Sequence, residues 1–366
     1  EAENQINKSK RESESLNEKI KELEERLKTR NEFEWQEEKL ANEILDKRKD
    51  LEKSIEELQK EFEALKENKK EFEDQSERIQ KKTEQLHNLM NELLDEKTKK
   101  LYEELQKLLN EKLSSEQLLN QINKIDQNEK NLEKELERAL ELFKRLKMES
   151  LLEQSTKDLD ELAQKQKELS QKDSSPSDLS EDQNQLKEDF EEIREKTDEI
   201  QKINQELKKP EPMKDFESDE EQIQKNLEEL SEKLNQDKKP NQKTRDQQQN
   251  TSEQMKALSK KMSEMQSNME MTMIQENIDN LRNILDNLVK LSFDEEDLIE
   301  NFRSVNQSDP RFVELSQEQL QLIDNAQVIE DSLYALAERV FQISGFLTKE
   351  ISAINENLDK AIYELR

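Results

Sequence analysis

His87 is the only histidine of the chain, Gly345 its only glycine, and cysteine is absent. Those three counts close most side-chain chemistry. A zinc site needs several Cys or His ligands at defined spacing, and nothing of that kind flanks His87. A nucleophile triad needs its imidazole in a pocket, whereas His87 sits in a Lys- and Glu-rich helical frame and reads as a surface residue. One glycine cannot build a phosphate-cradling loop, so a P-loop ATPase is excluded. The acidic run Asp294, Glu295, Glu296 and Asp297 lacks the glycine and alternating oxygen ligands of a calcium loop. With Ser292 three residues before Glu295, it reads as carboxylates at a helix N-terminus. The expectation is a protein that is not an enzyme, with no catalytic, cofactor-binding or metal residue.

Composition then bounds the elements. Of 366 residues, 41% are charged and 30% hydrophobic, which allows narrow apolar seams in place of a thick core. Low hydrophobicity with a net charge of −30 would argue for disorder. Periodicity, together with one Gly, five Pro and abundant Glu, Lys, Leu and Gln, argues instead for an all-α chain. The acidic balance offers no basic stripe for nucleic acid or an anionic membrane. No apolar run approaches the ~20 residues of a membrane helix. The chain opens on Glu1 and not on Met, which reads as a fragment or processed form.

An unslipped 4,3 spacing joins Ile44, Leu51, Ile55, Leu58, Phe62, Leu65, Phe72, Ile79, Leu86, Met90 and Leu93. It predicts one helix on the order of 75 Å long, in a hairpin with the helix of Ile20, Leu23 and Leu27 or, as the alternative, in a dimeric rod. Phe33 and Trp35 are expected to cover the turn. Ser114 with Gln117, and Asp126 with Glu129, have the spacing of helix starts. The next periodic helix is expected to end near Lys172. Four prolines (Pro176, Pro210, Pro212 and Pro240) follow, with short helices opened at Ser180 and Ser218. KKPNQKTRDQQQNTSEQ reads as a flexible linker. The expected organisation is an N-terminal coiled-coil arm over 1–172, a Pro/Gln/Asn-rich hinge over 173–250 and a C-terminal helical bundle over 251–366. In that bundle Met255, Leu258, Met262, Met265 and Met269 lead into Ile274, Ile278, Leu281, Leu285 and Leu288 in a shifted frame.

One segment departs from the repetitive composition: NQSDPRFVELS, residues 306–316. Asp309 before Pro310 predicts a turn, and Ser316 with Gln319 a helix start. Phe312 and Val313 form a wedge between helices, while Arg311 pairs with an acidic neighbour or faces a partner. From Val328 to Leu347 twelve of twenty residues are apolar, which predicts a core helix touching two neighbours. Arg311, Phe312, Leu336, Val340 and Phe346 are therefore the candidate protein-interaction residues.

LSFDEEDLIENFRSVNQSDPRFVELSQEQL, followed by VIEDSLYALAERVFQI, resembles the C-terminal region of a family of very large envelope proteins of Bacteroidota known only as a domain of unknown function. LLDEKTKKLYEELQKLL and LEKELERALELFKRL resemble its central helices. The resemblance implies a parent protein anchored by membrane helices near its N-terminus, with a long periplasmic helical region. This chain departs from that pattern in carrying no membrane helix. The functional expectation is a coiled-coil scaffold or tether of a bacterial cell envelope, acting through protein partners or self-association. An ATP-independent holdase and the arm of a cytoskeletal or chromosome-associated ATPase are the alternatives, as is a cytoplasmic location.

Overall fold

A computed structural model describes residues 2–29, 34–67, 76–94, 96–111, 115–172, 176–236 and 241–365. The described residues form α-helices joined by short connections: α1 Ala2–Thr29, α2 Trp35–Glu67, α3 Glu77–Glu92, α4 Glu96–Glu111, α5 Ser115–Gln171, α6 Pro176–Glu206, α7 Glu217–Gln236, α8 Gln242–Arg303, α9 Pro310–Ala337 and α10 Gly345–Glu364. No strand occurs among them, so the chain is all-α. No described helix is long and apolar enough to cross a membrane. Contacts divide the chain into two units. The first holds 1–72, 80–143 and 277–366; the second holds 73–79 and 144–276.

In the first unit α1 and α2 run antiparallel, because Ser9 meets Ser54 (2.9 Å), Lys47 meets Ser15 (2.9 Å) and Lys19 meets Glu43 (3.8 Å). One stripe of each helix is buried: Ile6, Leu16, Ile20 and Leu23 against Ile44, Leu51, Ile55 and Leu58. That is the i, i+3/i+4 pattern of a single apolar face. The N-terminal segment of α5 lies against both helices, with Lys10 on Glu137 (3.1 Å) and Phe62 edge-on to Phe143 (5.8 Å). Farther along, α8 from residue 277 packs Ile284, Leu291 and Leu298 on α9 and α10. α9 opens as its sequence predicts: Asp309 caps it, accepting the Arg311 backbone N–H at 2.9 Å, and Pro310 occupies the first turn, where no N–H is needed.

The second unit is a four-helix bundle in which each helix is antiparallel to its neighbours. Lys196 with Asp158 (2.7 Å) sets α6 against α5, and Gln224 with Glu191 (2.9 Å) sets α7 against α6. Asn226 with Gln254 (2.7 Å) sets α8 against α7, and Ser252 Oγ donating to Ala163 O (2.6 Å) returns α8 to α5. Its core includes Leu159, Phe190, Ile200, Leu227, Met255 and Met262. At one level of this core Gln166 and Gln183 exchange amide hydrogen bonds (3.0 and 2.9 Å) while Gln248 donates to Gln183 (3.1 Å), all three fully buried.

Several expectations are corrected. The seam from Ile44 to Leu93 is not one 75 Å helix: Gln59 Nε2 donates to Met90 O at 2.9 Å, so α3 returns to α2. Its described members, Ile44 through Phe62 and Ile79 through Leu93, are nevertheless buried. A strict apolar repeat is equally satisfied by two helices that share one core. Leu65, Phe72 and Phe33 lie outside the residues whose side chains are described, and Trp35 is 71% exposed where a buried lid was expected. α5 runs unbroken through Asp126 and Glu129. Residues 173–250 supply α6, α7 and the start of α8, and hence much of the second unit's core, so they are no hinge. The presumed linker is helical from Gln242, with Thr244, Gln248, Thr251 and Ser252 buried. The methionine stripe belongs to this same core and not to a C-terminal bundle.

Glu220 gives the second unit a pH dependence. It is 5% exposed on α7, and its Oε1 lacks a hydrogen-bond partner among the described residues. Burial pushes its carboxyl from 4.5 to about 7, against the pull of Thr197 and Arg194 and with added repulsion from Asp198 and Asp215. The folded chain therefore holds this proton more tightly than the unfolded one. The associated stability is complete below pH 4.5 and lost as pH rises through about 7. Its size is on the order of 3 kcal/mol. Unfolding midpoints measured between pH 5 and 8 should fall with rising pH in the native chain, and Glu220→Gln should flatten most of that slope.

Candidate protein-interaction site

The α9–α10 hairpin carries the predicted site residues, and a buried arginine from α5 fixes its geometry. Arg138 is 1% exposed. Its Nε donates to Ala337 O at 3.1 Å, its Nη2 donates to Ile343 O, and its Nη1 donates to Glu135 at 3.1 Å. The guanidinium thus satisfies one carbonyl at the C-terminal end of α9 and one in the connection to α10. Favourable charge placement adds to this, because the last turn of a helix attracts cations. Glu135 in turn accepts from Thr348 Oγ1 at 2.6 Å in the first turn of α10.

One helical turn away, Glu330 on α9 accepts from Ser352 (2.8 Å), Asn355 and Lys134 (2.8 Å). The Lys134 ammonium also stands 4.7 Å from the centre of the Tyr334 ring. Burial, with the nearby Glu135 and Glu330 carboxylates, pushes the Tyr334 hydroxyl up, so it stays protonated. A second paired site lies on α2 and α5. Arg48 meets Glu129 at 2.8 Å and Glu52 at 3.1 Å, and its guanidinium stands 5.3 Å from the Tyr102 ring centre. Burial alone would lower the Arg48 pKa; Glu129, Tyr102 and Glu52 outweigh it and raise it.

Beside these groups is a cavity of about 110 Å³, lined in part by Arg48, Glu92, Lys97, Asn131, Glu135 and Lys349. That is room for a few waters among charged groups, and well short of the ~300 Å³ of a typical small-molecule site. No described cluster of acidic or His side chains could hold a metal ion. Asp294–Asp297 lie inside α8, not at a helix start, and Glu295 accepts from Gln319 at 2.8 Å. His87 is half-buried on α3, with Nε2 3.0 Å from Asn91. The arrangement is suited to holding helices together.

The five predicted residues occupy different environments. Arg311 is exposed and pairs with its own capping residue, Asp309, at 2.7 Å. Hydrogen bonding to Arg311 holds the Asp309 carboxyl below its ordinary range. Phe312 is half-buried, edge-on to Phe302 with ring centres 5.5 Å apart. Leu336 is fully in the core at 2% exposure, and Val340 packs against that core from the connection. Phe346 is 64% exposed.

Three expectations fail here. Val313, expected with Phe312 as a wedge between helices, is 61% exposed. Val328–Leu347 is not one helix, since α9 ends at Ala337 and α10 begins at Gly345; Val328 itself is 62% exposed. Ser316 lies inside α9, where its hydroxyl donates to Phe312 O at 2.7 Å, and starts no helix. Sequence reasoning also missed Arg138, Glu135 and Glu330. An i, i+3 Glu–Arg pair inside ELERALELFKR reads as surface charge unless the partner carbonyls some 200 residues later are known. No family model, no curated protein and no solved structure matches this chain.

Arg138→Ala leaves Glu135 and two carbonyls buried without this partner and should cost roughly 3–5 kcal/mol in denaturant unfolding. Leu336→Ala should cost about 2–4 kcal/mol. Arg311→Ala removes only an exposed pair and should leave the denaturant midpoint unchanged.

Proposed function

We propose that the chain is a non-enzymatic helical scaffold or tether that acts through protein–protein contacts. In this reading its antiparallel helices form coiled-coil hairpins that make an arm, and the α9–α10 hairpin is the docking end. The observation that carries it is the set of large apolar side chains left in solvent on that hairpin: Val313, Val328, Phe346 and Tyr363 are 61, 62, 64 and 77% exposed. In a chain that is only 30% hydrophobic, leaving such residues outside the core has a cost unless a partner covers them. We place it in a bacterial envelope, as the periplasmic part of a membrane-anchored protein, which is what the resemblance of residues 291–320 and 328–343 to that family implies.

The same exposed residues on an acidic chain favour a second reading, a holdase that shields unfolded clients without ATP. The test places a photo-crosslinking residue at position 346 in the intact parent protein within native membranes. A scaffold should give one discrete adduct, and Phe346→Lys should abolish it without shifting the unfolding midpoint. A broad smear of adducts, with suppression of client aggregation at equimolar chain, would favour the holdase. Absence of both adduct and suppression would remove the docking role.

A further inference from the structure

In the second unit α7 is the shortest helix, with 20 residues, and the one whose buried polar groups are least satisfied. Glu220, Gln224 and Ser231 lie on its buried face at 5, 9 and 6% exposure. Glu220 Oε1, Gln224 Oε1 and Ser231 Oγ have no hydrogen-bond partner among the described residues. No other helix of this bundle holds as many such atoms there: α5 adds Arg145 Nε and Ser155 Oγ, α6 adds Arg194 Nε, and the bundle's part of α8 adds none. A buried oxygen without a partner has lost its hydration and gained nothing in return, so moving α7 away returns three of them to water. The other three helices do not need α7 to stay together, because Gln166 of α5, Gln183 of α6 and Gln248 of α8 bind one another. By contrast, the bonds that α7 makes to its neighbours, such as Gln224 with Glu191 (2.9 Å) and Asn226 with Gln254 (2.7 Å), are only part-buried, where water can replace them.

We propose that α7 is a releasable helix, set free from its bundle when Glu220 ionises. Glu220 stands in the first turn of α7, beside the non-helical connection 207–216. That connection is anchored before the helix begins: Asn204 exchanges hydrogen bonds with the Glu211 backbone (2.9 and 2.7 Å), and Arg145 binds the Glu211 carboxylate. The chain thus stays tied to α5 and α6 while α7 moves. Thr197 and Arg194 of α6 favour the Glu220 carboxylate, whereas Asp198 of α6 and Asp215 of the connection oppose it. Lys261 of α8 and Arg145 of α5 are engaged by Asp219 (2.7 Å) and by Glu211. Burial outweighs Thr197 and Arg194 and raises the carboxyl to about 7. Closure of α7 therefore favours the protonated form: the contribution is complete below pH 4.5 and lost as pH rises through about 7. The device lies in the second unit and is independent of the docking role given to the α9–α10 hairpin.

Hydrogen exchange of the full chain, followed by mass spectrometry at pH 5.5 and pH 8 and corrected for the pH dependence of exchange itself, reads the opening of α7 directly. The open form of 217–236 should be about 25-fold more populated at pH 8, the ratio that follows from a carboxyl at 4.5 when open and about 7 when closed. Amides around Gln166, Gln183 and Gln248 should stay protected at both pH values. Glu220→Gln keeps the shape of the protonated side chain and should remove the ratio. Ser231→Ala deletes an unpartnered oxygen without touching Glu220; it should lower opening about fivefold at each pH and leave the ratio in place. Exchange of α7 only together with the whole bundle, a ratio near one in the native chain, a ratio that survives Glu220→Gln, or unchanged opening in Ser231→Ala would each overturn the proposal.

Discussion

Arg138 joins α5 to the end of α9 and to the connection that leads into α10. Its guanidinium spans the carbonyls of Ala337 and Ile343 and is held in place by Glu135, which itself binds Thr348. The turn from α9 to α10 is thereby tied to α5, and the faces of both helices are set by that tie. Transferring a guanidinium from water to a nearly closed site costs several kcal/mol, recovered only when its donors find acceptors in good geometry. Here the carbonyls gain as much as the arginine does, because the last carbonyls of a helix have no partners within the helix.

The same constraint acts throughout each unit. With few apolar residues, each helix offers one narrow stripe, and long helices in contact must bring polar side chains inside as well. Some of them enter in paired groups: Arg48 with Glu129 and Glu52 in the first unit, Gln166 with Gln183 and Gln248 in the second. A shift of one helix along another would break those pairs while leaving the apolar seams nearly as well packed. Leucine and isoleucine at repeating positions supply cohesion, and the buried polar groups select one register among many that cohesion alone would accept. At Glu220 burial outweighs the pull of Thr197 and Arg194 and raises the carboxyl pKa.

Against that scarcity, large apolar side chains are left in solvent on α8, α9 and α10. A hairpin displaying Phe346 and Tyr363 carries surface that costs solubility without adding to the core. The cavity beside Arg48 is small and ionic, and the buried charges are occupied in holding backbone and one another.

By itself the sequence determined the all-α class, the capping of α9 by Asp309 before Pro310 and the end of α5 beside Lys172. Each depends on a few adjacent residues: helix propensity, a side chain reaching its own backbone, a proline that donates no N–H. It also set the phase of each apolar stripe, because 3.6 residues per turn fix where a side chain lies around its helix. Tertiary structure decided which stripe meets which. The repeat through Ile44 and Leu93 was the same whether the chain ran straight or turned back, and only the contact of Gln59 with Met90 shows that it turns. Asp126 and Glu129 had the spacing of a helix start, yet Glu129 is the buried partner of an arginine 81 residues earlier. The candidate site divides in the same way. Phe312 beside the turn was legible because its surroundings are local, whereas Arg138 depends on carbonyls that linear sequence does not bring together with it.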